Sequence, residues 1–413
     1  MKVLQINTMV NTTSTGRIAE EIGQTLLNGG HESYIASAVT GPDGSDSRHI
    51  QIGNTLDRYA HGIKTRLFDR HGFGSRNATQ KLIQEIKRVD PDVIGLHNLH
   101  GYYLNIEVLF NYLKQVQKPV IWTFHDCWPF TGHCSYFDYV GCEKWKTECH
   151  DCPLSDKYPA SWIVDNSRDN FHRKSELFNG LQNMRVVTPS HWLKKLVNQS
   201  FLSSYLVEVI HNGIDLEQFR PVEVEDIKAR YHLSGKHLIL GVASVWDRRK
   251  GLKYFLELSH RLDDRFRIAL IGLSKKQAKK LPDNIIPIPR TEHIDELVSF
   301  YSAADVFLNP TLVDNFPTTN LEALACGTPV ITFNTGGSPE AISEDTGIVV
   351  ERKNVDGLHR AVNTIVEKGK HFYKENCRKR AVANYNKNDR FREYVQLYEK
   401  LSDRSANQKL ERI

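Results

Sequence analysis

Two acids stand eight positions apart in DNFPTTNLEALACGTPV, Asp314 to Val330. Asp314 precedes a Pro/Thr/Asn segment, and Glu322 lies where a helix should begin, ahead of a Gly-Thr-Pro stop and an apolar strand. Such a pair can serve a glycosidase as acid and base, or it can hold the hydroxyls of a polar ligand. The segment follows the strand-like Val306-Phe307-Leu308-Asn309-Pro310. A helix opening at Thr319, Asn320 and Leu321 would offer unpaired N–H groups and a positive dipole end to an anion, above all a phosphate. Glu322, placed in the first turn, would then meet a ribose diol, and Asp314 would reach sugar hydroxyls. The plainer readings are an acid answering the helix dipole and an Asp forming a turn.

A second anion candidate is Asp247-Arg248-Arg249-Lys250-Gly251, after the strand that ends at Ala243-Ser244. Cations in a strand-to-helix loop, with Gly251 allowing close approach, suit a diphosphate; a solvated charge run is the alternative. In the first half, Thr12 to Gly16 (TTSTG) follows the first strand, and one Gly there is a weak phosphate-loop signal beside a plain turn. His97, His100 and His125 fall at successive strand exits in HNLH and TFHD. One such histidine is ordinary in a core, whereas three at strand exits point toward a ligand.

Five of the seven cysteines, Cys127, Cys134, Cys142, Cys149 and Cys152, crowd one stretch. From Cys134 the spacing is C-x7-C-x6-C-x2-C, which fits a closed tetrahedral zinc site of Cys134, Cys142, Cys149 and Cys152 bracing a long loop. Free thiols and disulfides are the alternatives. Four thiolates leave no open position, so such a zinc would be structural.

The elements that must position these groups alternate. Apolar runs at Val3 to Asn7, Asp92 to Leu96, Pro119 to Thr123 and Arg185 to Thr188 are followed by helix-length segments. A second series runs His237 to Ala243, Arg267 to Gly272, Asp305 to Leu308 and Pro329 to Phe333. This βα rhythm predicts α/β halves with parallel sheets, whose ligands sit at the polar strand exits. The length of 413 residues suits two domains, meeting near residues 200 to 215. The last segment, from Asn388, carries Phe391, Tyr394, Leu397, Tyr398 and Leu401 at helical spacing.

With 54 Lys plus Arg against 49 Asp plus Glu, the formal charge is +5, too small a basic excess to make nucleic acid an expected partner. MKVLQINTMV reads as a strand, not a leader, and no apolar run approaches the ~18 residues of a membrane span, so a cytoplasmic protein is expected. Aromatic and basic residues mix in RYAHGIKTRLFDRHG (58–72) and in His191-Trp192-Leu193-Lys194-Lys195. Both read as solvated helix faces or as a surface touching anionic lipid.

Taken in order, Asn212-Gly213-Ile214-Asp215 with Phe219 and Pro221, Arg249-Lys250-Gly251, Phe316-Pro317, Glu322-Ala323, Cys326-Gly327-Thr328-Pro329-Val330 and Gly336-Gly337-Ser338-Pro339-Glu340 resemble the retaining glycosyltransferases of family 4. The resemblance implies a GT-B fold of two Rossmann-like doubly wound domains facing a central cleft. Residues 1–200 would form the acceptor side, with the helix at about 388–413 packing back on it, and residues 201–387 would bind the nucleotide sugar. It implies a catalytic set of His125, Lys250 and Asp314. Donor binding would fall to Gly16, Arg249, Lys250, Arg290, Thr291, Asp314, Asn315, Phe316, Pro317, Thr319, Asn320, Leu321 and Glu322, and the acceptor side to His97, His100 and Asp126. Two departures stand out: Asp where the family has Glu at 314, and Val245 where it has an Arg.

The expected function is retaining, hexosyltransferase-like transfer from a nucleotide sugar to a saccharide or lipid-linked saccharide, in bacterial capsule, exopolysaccharide or O-antigen synthesis. Front-side attack, with the departing diphosphate taking the acceptor proton, needs no protein nucleophile and no cofactor beyond the donor. A sugar-phosphate synthase or phosphorylase-like enzyme, a non-catalytic nucleotide-sugar binder and a glycoside hydrolase are the alternatives.

Overall fold

A computed structural model describes residues 1–279 and 281–410, with the side chains of the last helix described as far as Asp403. Residues 411–413 of the expected C-terminal helix lie outside the described residues. The chain divides into two units, residues 1–211 with the segment from Arg390 onward, and Asn212–Asp389. A boundary at 200 would sever Val207–Val209, which is the last strand of the first sheet.

Unit 1 is built on β1 (Lys2–Val10), β2 (Glu32–Thr40), β3 (Arg48–Gln51), β4 (Val93–Leu96), β5 (Val120–Thr123), β6 (Met184–Thr188) and β7 (Val207–Val209). They lie in the order β3-β2-β1-β4-β5-β6-β7, every pairing parallel. β4 and β5 are buried along their whole length, which explains why each reads as a continuous apolar run. One face of the sheet is covered by the Thr13–Asn28 helix, through Ile18, Ile22 and Leu26, and by the C-terminal helix Lys387–Leu410. Phe391, Tyr394, Val395, Tyr398 and Leu401 of that last helix share a core with Val3, Val93 and Ile121. The contact is close: a Cβ on Gly95 of β4 would come 2.9 Å from the Tyr398 hydroxyl.

Unit 2 repeats the plan with β8 (His237–Val242), β9 (Phe266–Ile271), β10 (Ile285–Ile288), β11 (Val306–Asn309), β12 (Val330–Phe333) and β13 (Gly347–Val350). The order is β10-β9-β8-β11-β12-β13, again all parallel. Its two ends are tied together by the Asn212-Gly213-Ile214-Asp215 motif. The Ile214 amide donates to the Tyr385 carbonyl at 2.7 Å, Lys387 N donates back to Ile214 at 3.1 Å, and the Lys387 ammonium pairs with Asp215 at 2.9 Å. Gly213 is there because a side chain would strike Lys387 Cα at 2.5 Å.

In both sheets the strand order reverses beside the first strand of the unit, between β1 and β4 and between β8 and β11. Open parallel sheets bind ligands at such switch points, outside the carboxyl ends of the strands.

Candidate functional site

At the switch point of unit 2, the loops leaving β8 and β11 meet. Lys250 Nζ lies 2.6 Å and Arg249 Nη1 3.4 Å from Asp314 Oδ2, with all three side chains largely shielded from solvent. Burial pushes the Asp314 carboxyl up, and the two cations outweigh it, so its pKa ends below the ordinary value. Arg249 also donates to the Val313 carbonyl at 3.1 Å. Arg248 and Val245 are exposed, so of this loop's two arginines it is Arg249 that reaches the acid.

Two glycines permit this approach. Gly251 has φ +78°, and a Cβ on it would stand 2.1 Å from the Pro310 carbonyl. Gly336 has φ +59°, and a Cβ would stand 2.0 Å from the Asp314 carbonyl, which accepts from Gly337 N at 2.9 Å. A side chain at either position would force the β11 exit loop outward.

The helix after Asp314 begins earlier than the sequence suggests, at Thr318, and runs to Ala325. Glu322 therefore stands beyond the first turn, which holds no acid, and its Oε2 accepts from the Tyr301 hydroxyl at 2.7 Å. The same shift corrects the expected anion amides. Asn320 N already donates to the Pro317 carbonyl, its side chain ties Asn309 to Ser338, and Leu321 is fully buried. The helix opens instead on Thr318 and Thr319, both part-exposed. Asn315, Phe316 and Pro317 are buried, with Phe316 against the Tyr385 ring and its carbonyl held by Asn212 Nδ2 at 3.0 Å. Arg290 is exposed and Thr291 part-exposed in the loop after the edge strand β10.

In unit 1, the TTSTG stretch is helix and not loop, since the Thr13–Asn28 helix starts at its second Thr. Gly16 lies within the first turn and is buried, where a Cβ would sit 3.2 Å from the Met9 carbonyl of β1. The turn itself is made by Asn11 and Thr13, at φ 49° and 59°.

The expected histidines come together at this unit's switch point. Gln5 on β1 donates through Nε2 to the Ala19 carbonyl at 2.9 Å, which turns its Oε1 toward His97 Nε2 at 3.0 Å. His97 Nε2 therefore carries hydrogen, its Nδ1 is the acceptor, and that Nδ1 faces His125 Nε2 at 3.1 Å. Burial first, and then the neighbouring ring, pulls His97 well below its ordinary pKa. Burial also brings His125 down to about 4, with Asp126 opposing and His100 adding to the fall. Both rings are thus neutral near pH 7, and His125 is held with hydrogen on Nε2 and a lone pair on Nδ1.

His100 and Asp126 are joined at 2.7 Å; Asp126 Oδ1 accepts from Trp128 N at 2.9 Å, and the Tyr158 hydroxyl reaches His100 Nδ1 at 2.9 Å. Both are buried, so these acceptor-side candidates use their polar atoms on one another. Gln5 and Tyr158 gave no separate signal in the sequence, and His61 and His71, which fall in the 58–72 stretch read there as a surface face, are buried. Gln5 reads as one polar residue within a strand, and Tyr158 lies in an irregular stretch far from HNLH.

The model named Glycosyltransferase Family 4 matches residues 15–218, and the one named Glycosyl transferases group 1 matches residues 223–387. WcaC of Escherichia coli (strain K12), a glycosyl transferase named for colanic acid biosynthesis, is 27% identical over 371 residues, covering 86% of this chain and 88% of that protein. Among solved structures, sucrose-phosphate synthase from Thermosynechococcus elongatus superposes with a TM-score of 0.71 at 18% identity, over 97% of this chain and 98% of that one. Anabaena Alr3699/HepE in complex with UDP gives 0.69 at 12%, over 97% and 100%. With the two family models spanning both units in order and the GT-B fold matched along nearly its whole length, this chain is a glycosyltransferase and belongs to family 4.

Proposed function

We propose that unit 2 holds a nucleotide-sugar donor and that the enzyme moves the sugar, with retention at the anomeric carbon, to a saccharide acceptor during assembly of a bacterial cell-surface polysaccharide. The observation that carries this is the Lys250–Asp314–Arg249 cluster at the switch point, beside the opening of the Thr318–Ala325 helix. Two cations and unpaired helix amides suit a diphosphate. Asp314, held ionised, accepts hydrogen bonds from sugar hydroxyls, and Glu322 takes the ribose. The relative named for colanic acid biosynthesis and the neighbour solved with UDP support the reading.

Catalysis then rests on placement and on charge stabilisation of the leaving diphosphate by Lys250 and Arg249. His125, its tautomer set through Gln5 and His97, belongs to the acceptor side of the reading, at the switch point of unit 1. A glycosidase would need one carboxyl of the pair protonated as a general acid. Asp314 is shifted the wrong way for that role, and Glu322 is engaged by Tyr301.

The acceptor's carrier is a lipid in a second part of the reading. No helix among the described residues is long and apolar enough to cross a membrane. Tyr59 (69% exposed), Ile63 (57%), Trp162 (71%) and Ile163 (72%) nevertheless stand on the surface of unit 1. Trp162 N donates to the Arg66 carbonyl at 2.7 Å and the Arg66 guanidinium lies over its ring, so helix and loop are joined, with Lys64 exposed beside them. Apolar and aromatic tips with basic neighbours suit the interface of an anionic bilayer in the cytoplasm.

The deciding experiment is a panel of UDP-, GDP-, ADP- and dTDP-sugars, read by thermal shift and by transfer or donor hydrolysis, repeated with Lys250→Ala and Glu322→Ala. One donor class should stabilise the wild type, and both substitutions should weaken its use, Lys250→Ala chiefly through kcat and Glu322→Ala chiefly through donor KM. Transfer unaffected by both substitutions would sink the site assignment, and release of sugar from an aryl glycoside without nucleotide would revive the hydrolase.

A further inference from the structure

Between β5 and the Ser167–Phe178 helix the chain runs for residues 124–166 with only three short 3-10 turns, Trp128–Phe130, Asp138–Val140 and Lys144–Lys146. Irregular connections longer than ~12–15 residues are uncommon inside a compact domain unless something braces them. This one nevertheless buries Phe130, Phe137 and Trp145 in the unit 1 core.

At its centre, Cys134, Cys142, Cys149 and Cys152, with His133 and His150, line a cavity of about 10 Å3. That is room for roughly one water-sized sphere. All four thiols are unbridged.

A buried cation supplies the independent observation. Lys174 is 1% exposed; its ammonium donates to the Trp128 and Thr131 carbonyls at 2.8 and 3.0 Å and rests 3.4 Å from the Trp128 ring centre. Among the described residues no carboxylate pairs with it, and burial pulls its pKa down to about 7. A lone ammonium in an apolar core is costly. Zinc in a cage of four thiolates is a net anion and would neutralise it.

We propose that Cys134, Cys142, Cys149 and Cys152 hold one zinc ion, which fastens this segment onto unit 1 with Lys174 as its counter-charge. Soft, closed, tetrahedral thiolate ligation suits zinc and leaves it no part in the transfer. Among the described residues no three of these sulfurs lie within 4.8 Å of one another. A tetrahedron with ~2.3 Å bonds has edges of ~3.8 Å, so binding draws the turns inward.

The test is zinc content of the purified full-length enzyme, followed by titration of its thiols with a mercurial in the presence of a chromophoric chelator. About one equivalent per chain should be released as the thiols react. Cobalt loaded in its place should show sulfur-to-metal charge transfer and the visible bands of a tetrahedral site. Cys142→Ser should lose the metal and expose residues 131–166 to protease; should that variant not fold, the wild-type titration decides alone. Less than about half an equivalent of zinc, with all seven thiols titrating freely or with disulfides in their place, would overturn the proposal.

Discussion

Lys250 meets Asp314 through a single short contact, so each residue can be probed through the other. Lys250→Ala should lower kcat by ~10²–10³, the usual cost of removing one transition-state charge partner, with a smaller change in donor KM. Glu322→Ala should chiefly raise donor KM, and steady-state kinetics on the donor identified by the panel separates the two. His97→Gln tests the relay: with the tautomer of His125 no longer fixed, kcat should fall ~10-fold, about one hydrogen bond's worth. Nitrogen-15 spectra should show His125 in two tautomers where the wild type shows one. The sequence alone displays Lys250, Asp314 and Glu322 by their motifs. It cannot show that Asp314 is already paired, or that Gln5 governs a ring 120 positions away, because both follow from which strands become neighbours.

Among the elements, the parallel strands were legible because β4, β5 and β11 are buried on both faces and read as unbroken apolar runs. Helix starts were not. Thr318 and Thr319, like Thr13, look like loop residues by type, yet the helix is set by the fixed φ of Pro317 before it and by packing of Leu321 beneath it. The glycine positions carry a prediction at this scale. Gly251→Ala should cost ~1–3 kcal/mol, since strain at positive φ adds to the clash with Pro310, and chemical denaturation should show it as a lowered midpoint. Donor KM should rise with it, because Lys250 is the preceding residue.

For the whole molecule, acid is the informative variable. Burial depresses His61 and His125 to about 4, and His71 and His97 well below their ordinary value, all within unit 1. The unfolded chain binds protons to these rings from about pH 6.5 downward while the folded chain does not, so stability should fall as pH drops from 6.5 toward 4. Each pKa unit is worth ~1.4 kcal/mol. Asp126 and Asp314, both depressed, should add their loss below the ordinary carboxylate range. A melting-temperature profile that stays flat to pH 4 would contradict this. Vesicle flotation tests the lipid surface: anionic vesicles should retain the wild type, and Ile63→Glu with Trp162→Glu should release it while soluble-donor hydrolysis persists. The two-unit plan and a junction near residues 200 to 215 were legible from the repeated βα rhythm, whereas the exact boundary residue was not, since β7 spans only Val207–Val209 and leaves little periodicity to read.

The last helix belongs to the unit that the chain starts, not to the one it has just finished. On a ribosome, therefore, Asn212–Asp389 can complete itself while the first unit still waits for Phe391, Tyr394 and Tyr398 to arrive over Val3 and Val93. The first unit to be translated is the last to close, and a chain arrested before residue 390 presents chaperones and proteases with an open apolar sheet face.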